Sequence, residues 1–406
     1  MKKLILLLLF IPLVFSCSKD NEDNEDTIPL FNLISDVNIA SVGTPYLLTW
    51  TIGSPYECQL SGAVNKIITN NGSVQIIPEK EGEQNTIMSC GSKSINVIVE
   101  VLPEFIDIPD VVFSDALTRL GHTVVNGKMK ATEALKIKNF IITSMNNFYG
   151  DADSNGTTTF ENSAVPDYGA NVAYTLDGKY ITDTSGIESF RNLETMRLER
   201  QQLEEIDLST LKNLSFLSLW RNPILNLDLS GNTELTSIGL SETGLTNIDT
   251  SKLTKLVEAA FQHGRVAPFS VTNGNKTYTV KGFSSLDFSK NTELQRVYLN
   301  YNPLTDFGIG QNNKSSFREL WATNTNIKSL NLSGFSKVDY VILNSSKNLT
   351  YLNLSGINND QVPSRLFCEV CPNLNQIIVT NPDNYRDARD AKKIFLDDHI
   401  SFTDGS

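Results

Sequence analysis

The chain has 406 residues, 40% of them hydrophobic and 20% charged, a composition that supports one or more packed cores and argues against a disordered protein. Acidic residues outnumber Lys and Arg by 46 to 34, which argues against nucleic acid or an anionic lipid surface as a partner. The three histidines, and the lack of a phosphate-binding glycine loop, a serine elbow or zinc-type spacing, leave nothing that assembles a nucleophile with a base, so a non-catalytic protein is expected.

The first 17 residues read as an address. Lys2 and Lys3 precede an apolar run from Leu4 to Phe15, too short to span a bilayer and right for a secretory signal. The run ends in Val14-Phe15-Ser16-Cys17, which resembles the lipobox of bacterial lipoproteins, although Phe15 stands where a smaller residue is usual. By that resemblance Cys17 carries the lipid anchor, and residues 18–28, with Asp20, Glu22, Asp23, Glu25 and Asp26, form an acidic, flexible tether. Such a run resembles the surface-export signal of Bacteroidetes lipoproteins, which implies a protein anchored to the outer membrane and facing outward. The alternative is a plain solvated spacer.

Residues 29–103 are all-β in pattern: Tyr46-Leu-Leu-Thr-Trp50, Val74-Gln-Ile-Ile77, Thr86-Ile-Met-Ser-Cys90 and Ile95-Asn-Val-Ile-Val-Glu-Val101 are short runs parted by Gly, Pro and Asn. They resemble the immunoglobulin-like modules of bacterial surface proteins, with Trp50 ahead of Cys58 rather than between two cysteines. Four cysteines remain beside Cys17 and permit three connectivities. Cys58 with Cys90 is preferred because both lie in this segment, and Cys368 with Cys371 because that pair is local; a redox or metal role for Cys368-Glu-Val-Cys371 is the competing reading, without a second Cys or His pair to support it.

Residues 104–185 are expected to form a helical cap and an inserted loop. Val112, Phe113, Ala116, Leu117 and Leu120 share one helical face, and the phrase from Ile108 to Phe113 followed by Gly127-Lys-Met-Lys-Ala-Thr-Glu133 resembles the cap of internalin-like leucine-rich repeat proteins of Bacteroidetes. Asp151, Asp153 and Asn155 with Gly156 are a calcium candidate by position, weakened because Asn162 stands at the twelfth place; an Asx-rich turn is the simpler account. No other cofactor is implied.

From 186 to 382 a single phrase recurs. Leu193, Leu214, Leu235 and Leu256 each open L-x-x-(apolar)-x-(apolar), and later units open at Leu294, Phe317, Val338 and Leu374. This is the signature of leucine-rich repeats. It predicts a β-dominated solenoid of parallel strands with irregular or short helical returns, interrupted by an insertion at about 264–282 that reads as a hairpin around Asn273-Gly274. Residues 383–406 are expected to close the array with a cap helix, Asp383 to Leu396. Alternation within the strands then predicts a solvent-facing, concave set: Arg197, Phe216, Trp220, Arg221, His263, Arg296, Tyr298, Tyr301, Trp321 and Tyr340. Aromatic and arginine side chains on an open face are the types that carry binding hot spots. The expected function is adhesion to, or recognition of, an extracellular protein or glycan; a structural or assembly role beside other envelope proteins is the alternative.

Overall fold

The computed structural model describes residues 31–53, 57–144, 172–175, 179–263 and 267–405. Lys2, Lys3, Cys17, the acidic tether and the calcium candidate Asp151, Asp153 and Asn155 lie outside them. The chain divides into two compact units close to Val101. No helix among the described residues is long and apolar enough to cross a membrane.

The first unit is a β-sandwich. A three-stranded sheet (Asn32–Ser35, Tyr46–Thr51, Gly72–Ile76) and a five-stranded one (Ile39–Ser41, Lys93–Leu102, Gly82–Cys90, Cys58–Ser61, Lys66–Ile68, in spatial order) share a core of Leu33, Trp50, Leu60, Ile68, Met88 and the cystine Cys58–Cys90. Alternate residues of Tyr46–Thr51 are buried, as period-two patterning requires. Trp50 donates its indole N–H to the Asn70 carbonyl at 2.9 Å, which satisfies its one polar atom inside the core. Cys58 and Cys90 are direct antiparallel neighbours in the same sheet, 4.3 Å apart at Cα. The bridge therefore ties two adjacent strands rather than the two sheets.

The second unit is a leucine-rich-repeat solenoid. Eleven strands pair in parallel in one long sheet, in the order Val172–Thr175, Asn139–Ser144, Thr195–Glu199, Phe216–Ser218, Ser237–Gly239, Glu258–Ala260, Arg296–Tyr298, Glu319–Trp321, Tyr340–Ile342, Arg365–Cys368 and Phe395–Leu396. Return strands stack on the other side as Ser329–Asn331, Tyr351–Asn353, Gln376–Val379 and Ser401–Asp404. The repeat leucines point between the two sides: Leu193, Leu214, Leu217, Leu219, Leu235 and Leu256 are fully buried. At the bends, buried asparagines bond the backbone that the sheet leaves open. Asn222 Nδ2 donates to the carbonyls of Leu198 and Leu219, and Asn302 Nδ2 to those of Phe261 and Leu299. A second file, Asn232 and Asn291, does the same on the return side. Each amide links one coil to the preceding one, which is how a buried irregular backbone can be tolerated.

The ends differ from the sequence expectation. The cap is mixed rather than helical: the helix Val111–Arg119 packs beside a small antiparallel sheet of Phe105–Asp107, Val124–Val125 and Lys128–Lys130. Asp110 Oδ1 caps that helix by accepting from the N–H groups of Val112 and Phe113. Phe113, Phe140 and Phe190 meet with ring centroids 6.1 to 6.5 Å apart, joining the helix to the first coil. Gly186, at φ +96°, lies where a Cβ would stand 2.4 Å from the Asp107 carbonyl oxygen, so no larger residue fits this junction. The long sheet starts at Asn139, ahead of residue 186, because Phe140 and Ile142 register with Met196 and Leu198.

At the far end the helix covers Pro382–Asp390 only. The chain then adds one more coil, Phe395–Leu396 on the long sheet and Ser401–Asp404 on the return side. The unit opening at Leu374 lies in the return sheet, while the long-sheet strand of that coil is Arg365–Cys368. Cys368 and Cys371 are bonded at its end.

Candidate functional site

Outward side chains of the long sheet form three rows, because parallel strands in register place equivalent positions beside one another about 4.8 Å apart. Their chemistry differs between the two halves of the array.

In the N-terminal coils the outward positions are closed by internal bonds. Arg197 Nε and Ser218 Oγ both donate to Glu199 Oε1, at 2.9 and 2.5 Å. Next to them the middle row runs through Ser218, Gly239 and Ala260, too small to project. Phe216 is 8% exposed, set in the ladder between Thr195 and Ser237, and so is not the open side chain that alternation implied. His263 is 3% exposed. The Phe269 ring stands edge-on to it at 4.9 Å, and Glu258, the nearest carboxylate in sequence, pairs with Arg296 instead, at 2.7 Å. Trp220 is half-buried, with the guanidinium groups of Arg200 and Arg221 over its ring at 4.5 and 5.0 Å, while Arg221 also pairs with Glu242. Its π-surface is thus used inside the protein.

The hairpin insertion contributes to this closure at His263, through Phe269. Phe269–Asn273 pairs with Lys276–Val280, and the hairpin reaches back over the turns that follow the long-sheet strands. Asn273 Nδ2 donates to the carbonyls of Gln201 and Arg221, and Tyr278 OH donates to that of Glu242.

In the C-terminal coils the middle row is apolar and unbroken: Tyr298, Trp321, Ile342, Phe367 and Phe395 stand side by side on five adjacent strands. Tyr298 and Trp321 meet edge to face at 5.8 Å, and Phe367 and Phe395 at 5.0 Å. Phe395 is 38% exposed, and Ile342 is recessed at 8% between Trp321 and Phe367. One flank carries Arg296, Glu319, Tyr340 and Arg365. The other carries Asn300, Thr323, Asn344 and Glu369, linked by Asn300 Oδ1 accepting from the Thr323 N–H and Asn344 Oδ1 from the Glu369 N–H. Tyr301, expected among the open side chains, sits at the turn beyond with φ +63°.

The stripe is held stiffly. Trp321 Nε1 donates to Glu319 Oε1 at 2.6 Å and Tyr298 OH to Glu319 Oε2 at 3.5 Å. Burial pushes the Glu319 carboxyl above the usual range, against the pull of the Trp321 bond and the Arg296 charge. Burial likewise raises the Tyr298 hydroxyl, helped by the charges of Glu319 and Glu258. For Arg296 burial acts to lower the value, but the Glu258 bond and charge outweigh it and the guanidinium is held above its ordinary value.

Ile342, Arg365, Phe367 and Phe395 are the site residues that sequence reasoning missed, the two phenylalanines the largest of them. The signal for the phenylalanines is the alternation in Arg365-Leu-Phe-Cys368 and in Ile394-Phe-Leu396, with Leu366, Cys368, Ile394 and Leu396 buried.

No family model matches the chain, and no curated protein matches it. Among solved structures it is similar to the functional domain of InlJ from Listeria monocytogenes, described as including a cysteine ladder, at 15% identity and a TM-score of 0.40 over 74% of this chain and 72% of that one. It is also similar to the internalin InlF of the same organism, at 18% identity and a TM-score of 0.35 over 73% of this chain and 91% of that one.

Proposed function

We propose that the protein is a non-catalytic binding protein, lipid-anchored through Cys17 to the outer membrane with its repeats facing outward, that recognises an extracellular protein or glycan through the long sheet of its solenoid. The observation that carries this reading is the apolar stripe Tyr298–Trp321–Ile342–Phe367–Phe395. Five adjacent strands present large apolar side chains in a row, between flanks that are polar and largely pre-bonded. An apolar core with a polar rim is the anatomy of a recognition surface, and side chains already fixed by hydrogen bonds lose little entropy on binding. The contact set is therefore Arg296, Tyr298, Trp321, Tyr340, Arg365, Phe367 and Phe395, with Trp220, Arg197 and Arg221 supporting the array rather than touching ligand.

The test is binding of the full chain to immobilised glycans and extracellular proteins, compared with Trp321→Ala and Phe367→Ala. Truncating a hot-spot aromatic costs about 2 kcal/mol or more, so each variant is expected to lose at least about tenfold in affinity with its thermal transition retained. Unchanged binding would remove the stripe from consideration. Protease treatment of intact cells tests the placement: cleavage of the repeats on intact cells is expected, and protection until lysis would overturn the outward orientation.

A further inference from the structure

Three dimensions of the stripe restrict what can lie on it: its width, its repeat and its charges. It is one side chain wide, since polar rows bound it on both sides. Its five side chains are spaced by the strand separation, about 4.8 Å, and so extend about 19 Å at right angles to the strands.

An extended peptide laid along that line offers a side chain to the sheet every second residue, about 6.7 Å apart. It drifts by about 1.9 Å per contact and is out by more than a full row at the third step. An α-helix offers one seam residue per turn, about 5.4 Å apart. It stays within one row of register along the whole stripe, and four turns cover it. A helix with a narrow apolar seam flanked by polar residues also matches the width, whereas a broad apolar ligand would bury the two polar flanks.

The charges give the seam a direction. Arg365 and Glu369 stand on opposite sides of Phe367, both exposed, and neither has an ion-pair partner among the described residues. Elsewhere on this face Arg296 pairs with Glu258 and Arg197 with Glu199, and the Glu319 carboxylate is taken up by hydrogen bonds from Trp321 and Tyr298. An acidic residue on one edge of the incoming seam and a basic residue on the other would complete the two that are open.

We propose, resting on the reading above, that the occupant of this surface is an amphipathic α-helix of about four turns on a partner protein, its apolar seam laid across the strands from Tyr298 to Phe395, an acidic residue meeting Arg365 and a basic residue meeting Glu369. This is helix-on-surface recognition by side chains one turn apart, and it excludes a glycan as the ligand of this stripe.

The experiment uses the detergent-solubilised full chain as bait for two display libraries of equal size, one randomising the exposed face of a stable single-helix scaffold and one randomising an extended loop. The expected result is enrichment of helices with apolar residues three and four apart, acidic on one edge and basic on the other. A selected helix is expected to lose at least about tenfold in affinity to Phe367→Ala and to Arg365→Glu, and to recover against Arg365→Glu when its own acidic residue is changed to lysine. Arg365→Glu alters an exposed side chain and leaves the core intact, so its loss is read without a folding change. Enrichment of loops alone, or helices indifferent to Phe367→Ala and Arg365→Glu, overturns the helix assignment. If those loops are lost with Trp321→Ala and Phe367→Ala, the stripe still binds and only the helix is wrong; if neither library gives a binder sensitive to those changes, the binding surface itself falls with it.

Discussion

Asn273 and Arg221 are 52 residues apart, and the Asn273 side-chain amide donates to the Arg221 carbonyl at 2.6 Å while also donating to Gln201 at the same distance. One side chain at the hairpin tip thus bridges two coils that the repeat alone would join only through their strands. Tyr278 extends the contact to Glu242, and burial with the nearby Glu242 charge holds its hydroxyl protonated well above the ordinary tyrosine range. Repeat arrays are stabilised by nearest-neighbour interfaces; this hairpin adds bonds across several repeats at once. Asn273→Ala removes the donor from the buried Gln201 carbonyl and the half-buried Arg221 carbonyl and is expected to cost about 2 kcal/mol, and Tyr278→Phe about 1 kcal/mol. Hydrogen exchange checks the mechanism: protection should fall between Thr195 and Glu242 in both variants and stay unchanged between Glu319 and Phe395. A uniform loss along the solenoid would refute the brace.

The bend asparagines make a graded prediction. Asn302 is fully buried and bonds the Phe261 and Leu299 carbonyls and the Phe283 N–H. At the corresponding bends Thr243 and Thr325 make a single bond each, to Leu240 and Ala322. Asn302→Ala is expected to cost about 3 kcal/mol, roughly 1 kcal/mol per unmade bond, and Asn302→Thr less, because the hydroxyl recovers the bond to its own coil. Equal urea midpoints for the two variants would contradict this assignment.

The period of 21 residues from Leu193 to Leu256 made the solenoid legible, since it fixes one core leucine per coil. Where the period lapses, the phrase no longer marks the outward face. The first residues of the last long-sheet strands, Glu319, Tyr340, Arg365 and Phe395, step by 21, 25 and then 30 residues. The return strand Gln376–Val379 meanwhile carries the same phrase, Leu374-Asn-Gln-Ile377, as the long-sheet strands do, because both sides bury alternate residues against one core. Nothing local distinguishes the two sides, so the pattern does not single out Phe367 and Phe395. Alternation places Tyr298, Trp321 and Tyr340 in the outward rows of the long sheet, where they are half-buried, but it cannot report long-range closure: the burial of His263 depends on Phe269, and the occupied ring of Trp220 on an arginine one coil earlier. The mixed cap was hidden for a similar reason, as its strands are two or three residues long.

On the return side, Asp207, Asp228 and Asp249 each accept from the N–H of the serine two residues on, at 2.8 Å. Bonds from those serines lower all three carboxyls below the ordinary value. A lowered folded-state value means stability that is present above the unfolded value, about 3.9, and lost as pH falls through the folded one. The chain contains its own control, because Asn331 and Asn353 form the same turn with Ser333 and Ser355 without a charge. The triple variant Asp207→Asn, Asp228→Asn, Asp249→Asn should keep the turns and unfold with a shallower loss of stability below pH about 4 than the parent. Identical acid-unfolding profiles would show that these carboxylates contribute nothing to the linkage.

Glu319 is expected to act with the opposite sign. Burial raises its carboxyl above the ordinary value despite the Trp321 hydrogen bond, so the folded protein holds this proton more tightly than the unfolded chain does. Stability from this group is therefore largest below the unfolded value, about 4.3, and declines as pH rises through the raised folded value. Glu319→Gln keeps an acceptor for the Trp321 N–H and removes the buried charge. The variant should match the parent in acid and exceed it in stability near neutral pH, with the Tyr298–Trp321 pair undisturbed in near-ultraviolet circular dichroism. Urea midpoints across that range decide the matter: a variant less stable than the parent at neutral pH would mean that the ionised carboxylate is a net support of the stripe, the Arg296 charge then outweighing the cost of burying it.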